Sequence, residues 1–547
     1  MFDLLVKNGK IMDGTGNPWF FGDVAIKDSK IGKVGFIDSS LAQEVIDAEG
    51  LVVAPGFVDI HNHSDFVLPL DEHPKILEPF VRQGVTTIVT GNCGYSTAPI
   101  NPETLELLKV YSSFLQAAEL TWEWRDMKGY MDCIEKKGVA YNVVPLVSHG
   151  TIRIYIKGFD GGPATDSEKK EMARLAREAM EQGVFGLSCG LIYPPGIYSD
   201  TEELIAISKP LRDFGGVFTS HIRGYSETLL SASKEIIKVG EQNGIGVEHS
   251  HLQAFGKEHF SKIDRVLSLH DEARARGVDI TFDVIPYIAA NTTLLAIFPP
   301  WSLEGGVGKL IERLKNKETR RRINADVEEI VPGWPPWLPG TWPHNLVEAT
   351  GWENIVIISV GSAANKHLEG KNLVELAEEA GKTLFDTAAD LIIEEQGQVM
   401  ALYIGLSGDM EGDEGLRKII SHPLASIGAD AIITGRGLSH PAAYGCFPKV
   451  LGYFSRDLEL FSMEEAVRKM TSMSLQRFGI WDRGLIREGC SADITIFDEA
   501  TVGARGTYFD PAHFPEGIRY VIINGIPVLQ DGIYNGKLCG HVLRKQR

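Results

Sequence analysis

The amino-acid sequence predicts an α/β fold: a (β/α)8 TIM-like barrel with a small β-sandwich built from both chain termini and an inserted subdomain. Through the middle of the chain, runs typical of buried strands alternate with helical patterns, as in a barrel of parallel strands. Both ends of the chain instead contain short apolar runs separated by turn residues, which is typical of hairpins. A chain of 547 residues is long enough to hold all of these units.

The predicted sandwich takes its N-terminal part from residues 1–54 and its C-terminal part from residues 485–547. The first part contains "FDLLVKNGKIMDG" and "GDVAIKDSKIGKVG", in which "NGK" and "DSK" interrupt the apolar runs. The second part contains "GCSADITIFD" and "IRYVIINGIPVLQDG". Because the two parts have the same β-rich character, we expect them to pair and to bring the chain ends together.

The predicted barrel covers residues 55–484. Its eight strands are assigned to "FVDIHNH", "VTTIVTGNCG", "NVVPLVSHG", "VFGLSCGLIY", "GVFTSHIR", "IGVEHSHL", "DITFDVIPY" and "PLASIGAD". The runs "NIVIISVGS" and "VMALYIGLS" also look like strands and lie between the seventh and the eighth, so the late strands have more than one assignment. Residues from about 288 to 350 are rich in Pro and Trp, which predicts an inserted subdomain or lid over the barrel mouth.

The charge balance and the cysteine pattern limit the partners and the cellular compartment expected of this chain. The chain has 73 acidic and 54 basic residues, a net charge of −19, which disfavours nucleic acid and anionic membranes as partners. No apolar run is long enough to cross a bilayer and no leader pattern is evident, so we expect a cytoplasmic protein that acts on a small molecule. Six cysteines without paired spacing predict buried thiols rather than a disulfide framework.

Candidate metal ligands stand at the ends of five predicted strands, where barrel active sites lie. His61 and His63 are two residues apart in a strand, so their side chains project from one face. The remaining candidates end four further strands: Cys93, His221, His251 and Asp430. Any one of these could be a core thiol, a hydrogen-bonded core histidine or a turn residue, but together they predict a zinc site, since thiolate and imidazole suit zinc.

The chemistry expected of such a site is hydrolytic. A divalent metal lowers the pKa of bound water and polarises a carbonyl, while Asp430 can take a proton from the water and pass it to a leaving amine. His249 shares a face with His251, and the sequence leaves open whether it orients a ligand or belongs to the core.

Several long stretches, among them "VAPGFVDIHNHSD", "GVTTIVTGNCGYSTAP" and "FGLSCGLIYPPGIYSDTEEL", resemble the N-acyl-D-amino-acid deacylase (D-aminoacylase) family of the amidohydrolase superfamily. The resemblance covers almost the whole chain. It implies a zinc-dependent hydrolase of linear amides, with Asp430 as the acid/base and a tight zinc site at Cys93, His221 and His251. It also implies a second, weaker site that includes His61 and His63.

Other residues bear on the substrate. Hydantoinase-like relatives carry a carboxylated lysine where this chain has Cys93, which argues against cyclic amides as substrates. Members of the resembled family usually have Ser-His-x-Lys and His-Pro-Arg motifs, but here Gln253 and Ala442 replace the two cations expected to hold a substrate carboxylate. The candidates for substrate binding are Tyr193, Arg223, Tyr287 and His149, and Arg436 is a further candidate cation.

Four alternatives to hydrolysis of N-acyl-D-amino acids stay open at this level. The substrate could be a neutral amide without a free carboxylate, a cyclic amide, or an ester or carbamate. A barrel kept as a non-catalytic scaffold is the fourth, and the presence of all six candidate ligands argues against it.

Overall fold

A computed structural model describes residues 1–338 and 340–546 of the chain. In this part of the chain, strands β1 to β21 cover, in order, Phe2–Ile11, Phe20–Lys27, Lys30–Gly35, Ala42–Asp47, Val52–Pro55, Phe57–Asp59, Val85–Thr90, Asn142–Pro145, Val147–Ser148, Gly186–Gly190, Val217–His221, Gly246–His249, Ile280–Val284, Ala289–Thr293, Ile355–Val360, Val399–Ile404, Ala425–Ile427, Ile494–Phe497, Ile518–Ile523, Ile526–Gln530 and Ile533–Tyr534.

Helices α1 to α18 of the same described residues cover, in order, His73–Ile76, Glu78–Val81, Leu105–Tyr111, Met127–Lys137, His149–Lys157, Asp166–Glu181, Thr201–Ser208, Leu229–Asn243, Ile263–Ala275, Val307–Lys315, Lys317–Glu329, Leu346–Thr350, Leu373–Ala380, Leu384–Glu394, Glu414–Ser421, Ala442–Lys449, Met463–Lys469 and Ser472–Arg477. None of these helices is long and apolar enough to span a lipid bilayer.

Parallel strands in the middle of the chain pair in a circuit. Strands β6, β7 and β8 pair in parallel, and so do β9, β10, β11, β12, β13 and β17. Strands β8 and β9 are separated by Leu146 alone, whose amide donates to the carbonyl of Thr90 at the end of β7. A parallel bridge between Asn62 and Ala431 links the residues that follow β6 and β17. These strands are almost wholly buried, as expected of a parallel sheet covered by helices.

The two ends of the chain form one sheet. Its nine strands are β1 to β5 and β18 to β21, and β5 joins the two halves because it pairs in parallel with β1 and antiparallel with β18. The sequence predicted a small β-sandwich here, and the hydrogen bonds connect the nine strands into one continuous sheet. Its apolar residues, including Leu4, Val24 and Ile494, form a core cluster of their own.

The chain leaves the parallel circuit after β13 and returns to it at β17. In between, β14, β16 and β15 form an antiparallel sheet in that order. The two runs with ambiguous assignment are therefore β15 and β16, and they pair with β14 rather than with the parallel strands. The excursion spans residues 285–424, so the insertion predicted over about 288–350 covers only its first half.

Candidate functional site

The six candidate ligands of the sequence analysis meet at one place. The Sγ atom of Cys93 lies 3.1 Å from Nε2 of His61, 3.4 Å from Nε2 of His251 and 3.7 Å from Nδ1 of His221. Oδ1 of Asp430 lies 3.0 Å from Nε2 of His63 and 3.3 Å from Nε2 of His61. Residues from five strand ends, far apart in the sequence, thus face one another around a thiol.

The backbone turns sharply at three of these residues. Cys93, His251 and Asp430 have φ values of 51°, 38° and 47°, in the left-handed region that non-glycine residues rarely occupy. Each such conformation costs about 1–3 kcal/mol and tends to occur at functional sites. Tertiary hydrogen bonds hold two of them: the amide of His251 donates to Asp283, and the amide of Asp430 donates to the carbonyl of His61.

Two glycines let the strand ends approach one another. A Cβ at position 190 would lie 1.9 Å from the carbonyl oxygen of Cys93, and a Cβ at position 428 would lie 2.6 Å from Cβ of His61. Neither contact is possible, so any side chain at these positions would push a candidate ligand out of place.

Burial and neighbouring charges shift the pKa values of several of these side chains. Removal from water lowers the pKa of His61 and of His251 to about 4, so both imidazoles are neutral, as metal ligands must be. Burial also raises the pKa of the Cys93 thiol, and the nearby Asp430 and Asp283 add to the shift. For Asp430, burial alone would raise the pKa, but His61, His251 and His63 outweigh it and hold the pKa well below its usual range.

The donor atoms fall into two groups that share Cys93. One group consists of His61, His63, Cys93 and Asp430, the other of Cys93, His221 and His251, and the atoms within each group lie within 4.8 Å of one another. Sulfur and imidazole nitrogen are the donors that zinc prefers. The Cys93 thiol is buried near carboxylates, so it becomes a thiolate only when a cation binds beside it. In addition, Nε2 of His221 is buried without a hydrogen-bond partner among the described residues. The donor set therefore fits one or two zinc ions.

Two buried carboxylates that the sequence analysis did not select support this cluster. Asp283, at the end of β13, lies with both oxygens 3.3 Å from Nδ1 of His61, and its Oδ1 accepts the amide of His251 at 2.8 Å. Asp59 accepts the amides of Ala429 and His61 at 2.9 and 3.3 Å. Each aspartate interrupts an apolar strand run, "TFDV" or "GFVDI", and a charge inside such a run is the signal that could have revealed it.

Two further histidines hold positions in the surrounding core. Nδ1 of His249 lies 3.1 Å from Nε2 of His270 on α9, and the two rings stack, so its contact faces away from the ligands. His149, a predicted substrate-binding residue, begins α5 and is fully buried. Its Nε2 lies 2.8 Å from Glu203, which also pairs with Arg153. One nitrogen of His149 is therefore committed to a structural ion-pair network.

The two candidate tyrosines differ in their surroundings. The Tyr193 ring lies 5.0 Å from the His221 ring, and its hydroxyl is 2.8 Å from Oγ1 of Thr292 on β14, so Tyr193 adjoins the candidate ligands. The Tyr287 ring lies 3.9 Å from Nζ of Lys449 and 5.4 Å from the His440 ring. Its buried hydroxyl has no hydrogen-bond partner among the described residues and lies against α16, and no described contact joins it to the six ligands.

The two candidate cations, Arg223 and Arg436, both donate hydrogen bonds to other groups of the protein. Arg223 is fully buried: Nε donates to Glu235 at 2.7 Å, and the other nitrogens donate to the carbonyl of Ile197 and the hydroxyl of Ser199 at 3.1 Å. The Glu235 carboxylate neutralises this charge, which leaves the predicted role in carboxylate binding without a free cation at Arg223. Arg436 is exposed and donates to the carbonyl of Gln116, with other donors left over.

The chain resembles characterised hydrolases over its full length. A family model described as "Amidohydrolase family" matches residues 44–326 and 371–529, more than half of the chain. The D-aminoacylase of Alcaligenes xylosoxydans xylosoxydans is 31% identical over 548 residues, which cover 100% of this chain and 98% of that protein. A solved structure of D-aminoacylase, studied for the role of its binuclear metal centre, has a TM-score of 0.81 at 30% identity and covers 100% of both chains. The N-acyl-D-glutamate deacylase from Bordetella bronchiseptica, solved with zinc and a phosphonate inhibitor, has a TM-score of 0.81 at 27% identity, with 99% of both chains covered. The family predicted from the sequence motifs is confirmed, and the chain belongs to the amidohydrolase family.

Proposed function

We propose that this chain is a zinc-dependent hydrolase of linear amide bonds, with N-acyl-D-amino acids as its substrates. The observation that carries the proposal is the meeting of six side chains at Cys93, in two donor groups that suit zinc. The relatives named above supply the substrate class, since each is a D-aminoacylase or an N-acyl-D-amino-acid deacylase.

In this proposal Cys93, His221 and His251 hold the tighter zinc ion, and Cys93 also reaches a weaker site with His61 and His63. Zinc bound there would supply Lewis acidity, which lowers the pKa of water and polarises an amide carbonyl. One thiolate and neutral imidazoles would leave a bound zinc ion with a net positive charge, which would stabilise negative charge on the carbonyl oxygen.

Asp430 is the proposed acid and base. The three histidines around it keep it ionised, so it can accept a proton from the attacking water and later donate that proton to the leaving amine. Its left-handed backbone fixes the carboxylate between His61 and His63. Tyr193, beside His221, is the residue proposed to orient the acyl side of the scissile bond.

A second candidate function is the hydrolysis of neutral amides. The observation that favours it is the ion pair between Arg223 and Glu235, since Gln253 and Ala442 already lack the cations that bind a carboxylate in the resembled family. The two functions differ in one property: whether a free carboxylate beside the scissile amide raises or lowers the rate.

We also propose that the circuit of parallel strands β6 to β13 and β17 is the (β/α)8 barrel expected from the sequence, with β8 and β9, which only Leu146 separates, counted as one of its eight strands. The pairings from β6 to β17, the bridge that joins their ends and the helices that follow the strands support it. The pairing of β5 with β18 supports a separate terminal β unit made of residues 1–54 and 485–547. The antiparallel sheet of β14 to β16 supports an insertion of about 285–424.

The test compares the hydrolysis of N-acetyl-D-methionine, its L enantiomer and its D carboxamide by zinc-loaded protein. We expect the D acid to be the best substrate, and Asp430→Asn to lower kcat about 10²–10⁴-fold while zinc content is retained. Asp271→Asn, an exposed aspartate 3.4 Å from His422, is the matched control and should leave kcat unchanged. Faster hydrolysis of the carboxamide would instead select the neutral-amide function, and full activity of Asp430→Asn would reject the assigned role.

A further inference from the structure

A loop after β10 carries Tyr193 past the candidate ligands. This loop, residues 191–199, is called the tyrosine loop below; it contains one short 3-10 helix, Gly196–Tyr198, and no strand. The amide of Leu191 donates to the carbonyl of His221 at 3.0 Å, so the loop begins on the backbone of a candidate ligand. The ring of Tyr193 then lies 5.0 Å from the His221 ring. Because no sheet pairing holds residues 191–199, the place of the Tyr193 ring depends on what fixes the rest of the loop.

The side chain of Arg223 holds the far end of the tyrosine loop. One terminal nitrogen of its guanidinium group donates to the carbonyl of Ile197 and the other to the hydroxyl oxygen of Ser199, both at 3.1 Å. Arg223 follows His221 by two residues, so both ends of the loop are fastened to the same short segment at the end of β11. Arg223 is 0% exposed, so its guanidinium group acts on the loop rather than on a substrate.

Hydrogen bonds continue from Arg223 to the backbone of Tyr193. The Ser199 hydroxyl, which accepts from Arg223, donates to the carbonyl of Gly196 at 2.7 Å. The amide of Ile197, whose carbonyl binds Arg223, donates to the carbonyl of Tyr193 at 2.9 Å. Both of these bonds lie within the loop, so a shift of the guanidinium group moves the backbone that bears the Tyr193 ring.

Helix α8 fixes the guanidinium group in turn. Nε of Arg223 donates to Oε2 of Glu235 at 2.7 Å, and Oε1 of Glu235 accepts the hydroxyl of Thr201 at 2.8 Å. Glu235 lies within α8 and is 4% exposed. The planar guanidinium group donates in three fixed directions, to the helix and to two points of the loop. A lysine at this position would keep the charge but could not reproduce this geometry.

The hydroxyl of Tyr193 has a direct partner on the insertion. It lies 2.8 Å from Oγ1 of Thr292 on β14, and the ring packs edge-on against Tyr95 at 5.5 Å. When Thr292 donates, the phenol proton is available to an acyl oxygen at the ligand cluster. Displacement of a positioned group by about 1 Å can cost about 10²-fold in rate, so the value of Tyr193 depends on a fixed loop.

We propose that Arg223 is a positioning residue, which fastens the tyrosine loop to the strand end that carries His221 and so holds the Tyr193 hydroxyl at the scissile bond. This inference rests on the proposed amide hydrolysis, in which Tyr193 orients the acyl group. It gives Arg223 a role in the reaction without contact with a substrate carboxylate.

A double-mutant cycle tests whether Arg223 acts through Tyr193. With zinc-loaded protein and N-acetyl-D-methionine, we expect Arg223→Lys to lower kcat about 10–10²-fold and Tyr193→Phe to lower it about 10²–10³-fold. In the Tyr193→Phe background, Arg223→Lys should lower kcat by less than about twofold more, because the hydroxyl that it positions is already missing. Equal effects of Arg223→Lys in both backgrounds would overturn the inference.

Arg483→Lys is the matched control. Arg483 is also buried and paired, with Asp493 beside the terminal sheet, and it donates to Asn524 at 2.9 Å, so this variant should keep the wild-type kcat. Ser199→Ala removes one acceptor of Arg223 without a change of charge, and it replaces Arg223→Lys in the cycle if that variant does not fold. Zinc content should match wild type throughout; loss of zinc in Arg223→Lys would place its effect at the ligands and overturn the inference.

Hydrogen exchange separates this inference from the proposed function. We expect the backbone amides of residues 191–199 to exchange about tenfold faster in Arg223→Lys than in wild type, and at the wild-type rate in Arg483→Lys. Unchanged exchange in folded Arg223→Lys would overturn the inference even if kcat fell. Absence of amide hydrolysis by wild type would reject the proposed function, whereas faster exchange in the same samples would still establish that Arg223 holds the loop.

Discussion

Replacement of Asp283 by alanine tests whether a carboxylate outside the ligand set positions two of the ligands. Asp283 contacts Nδ1 of His61 with both oxygens at 3.3 Å and accepts the backbone amide of His251 at 2.8 Å. The first contact fixes which nitrogen of His61 faces Cys93, and the second holds His251 in its left-handed conformation. Asp283→Ala removes both constraints and leaves the donor set itself intact.

The magnitude follows from these two contacts. Loss of a carboxylate partner of a ligand histidine costs about 10–100-fold in metal affinity, or roughly 1.4–2.8 kcal/mol. The amide of His251 would also lose its acceptor in a buried place, at a cost of about 1–3 kcal/mol to folding. We therefore expect Asp283→Ala to bind zinc at least about tenfold more weakly and to melt at a lower temperature.

Competition with a chromophoric chelator measures the zinc affinity of each variant. Asp283→Asn keeps an oxygen acceptor for the amide of His251 but loses the charge beside His61, so we expect an intermediate affinity. Asp271→Ala removes an aspartate from an exposed contact with His422 and should bind zinc as wild type does. Wild-type zinc affinity in folded Asp283→Ala would refute the positioning role.

Two further predictions concern the shared thiol and the buried ion pair. Cys93→Ala should lower zinc affinity at both donor groups, which elemental analysis after dialysis detects; two retained zinc ions would exclude the thiol as a bridge. Glu203→Gln should lower the free energy of unfolding by about 3–5 kcal/mol, because Arg153 would keep an unpaired buried charge. Burial would raise the pKa of Glu203, but His149 and Arg153 hold it well below the usual 4.5. The loss of stability caused by Glu203→Gln should therefore be complete above about pH 4.5 and should shrink as the pH falls below that value. Denaturant titrations of wild type and Glu203→Gln at pH 7 and pH 3 measure it, and a loss that does not depend on pH would contradict the prediction.

Short-range rules were enough to select candidate ligands from the sequence. Period-two alternation puts His61 and His63 on one face, and the rule that barrel sites lie at the carboxyl ends of strands selected Cys93, His221 and His251. These rules need only local patterns, and the structure places the selected side chains together. The sequence left the late strands open, because β15 and β16 carry strand patterns equal to those of the parallel strands. Pairing between distant segments decides the question: β17 pairs with β13, as assigned, whereas β15 and β16 form an antiparallel sheet with β14.

The sequence by itself determined that the chain is an α/β member of the amidohydrolase family and which residue types gather at its strand ends. Only the tertiary structure decided that Arg223 is neutralised by Glu235, that Asp283 supports two candidate ligands and that the Tyr193 ring lies 5.0 Å from the His221 ring. The physical reason for this difference is that motifs and periodicity indicate only the face of a strand from which a side chain projects. The charge and the partners that surround it depend on other segments, which packing brings together: Glu235 is 12 residues from Arg223, and Asp283 is 222 residues from His61.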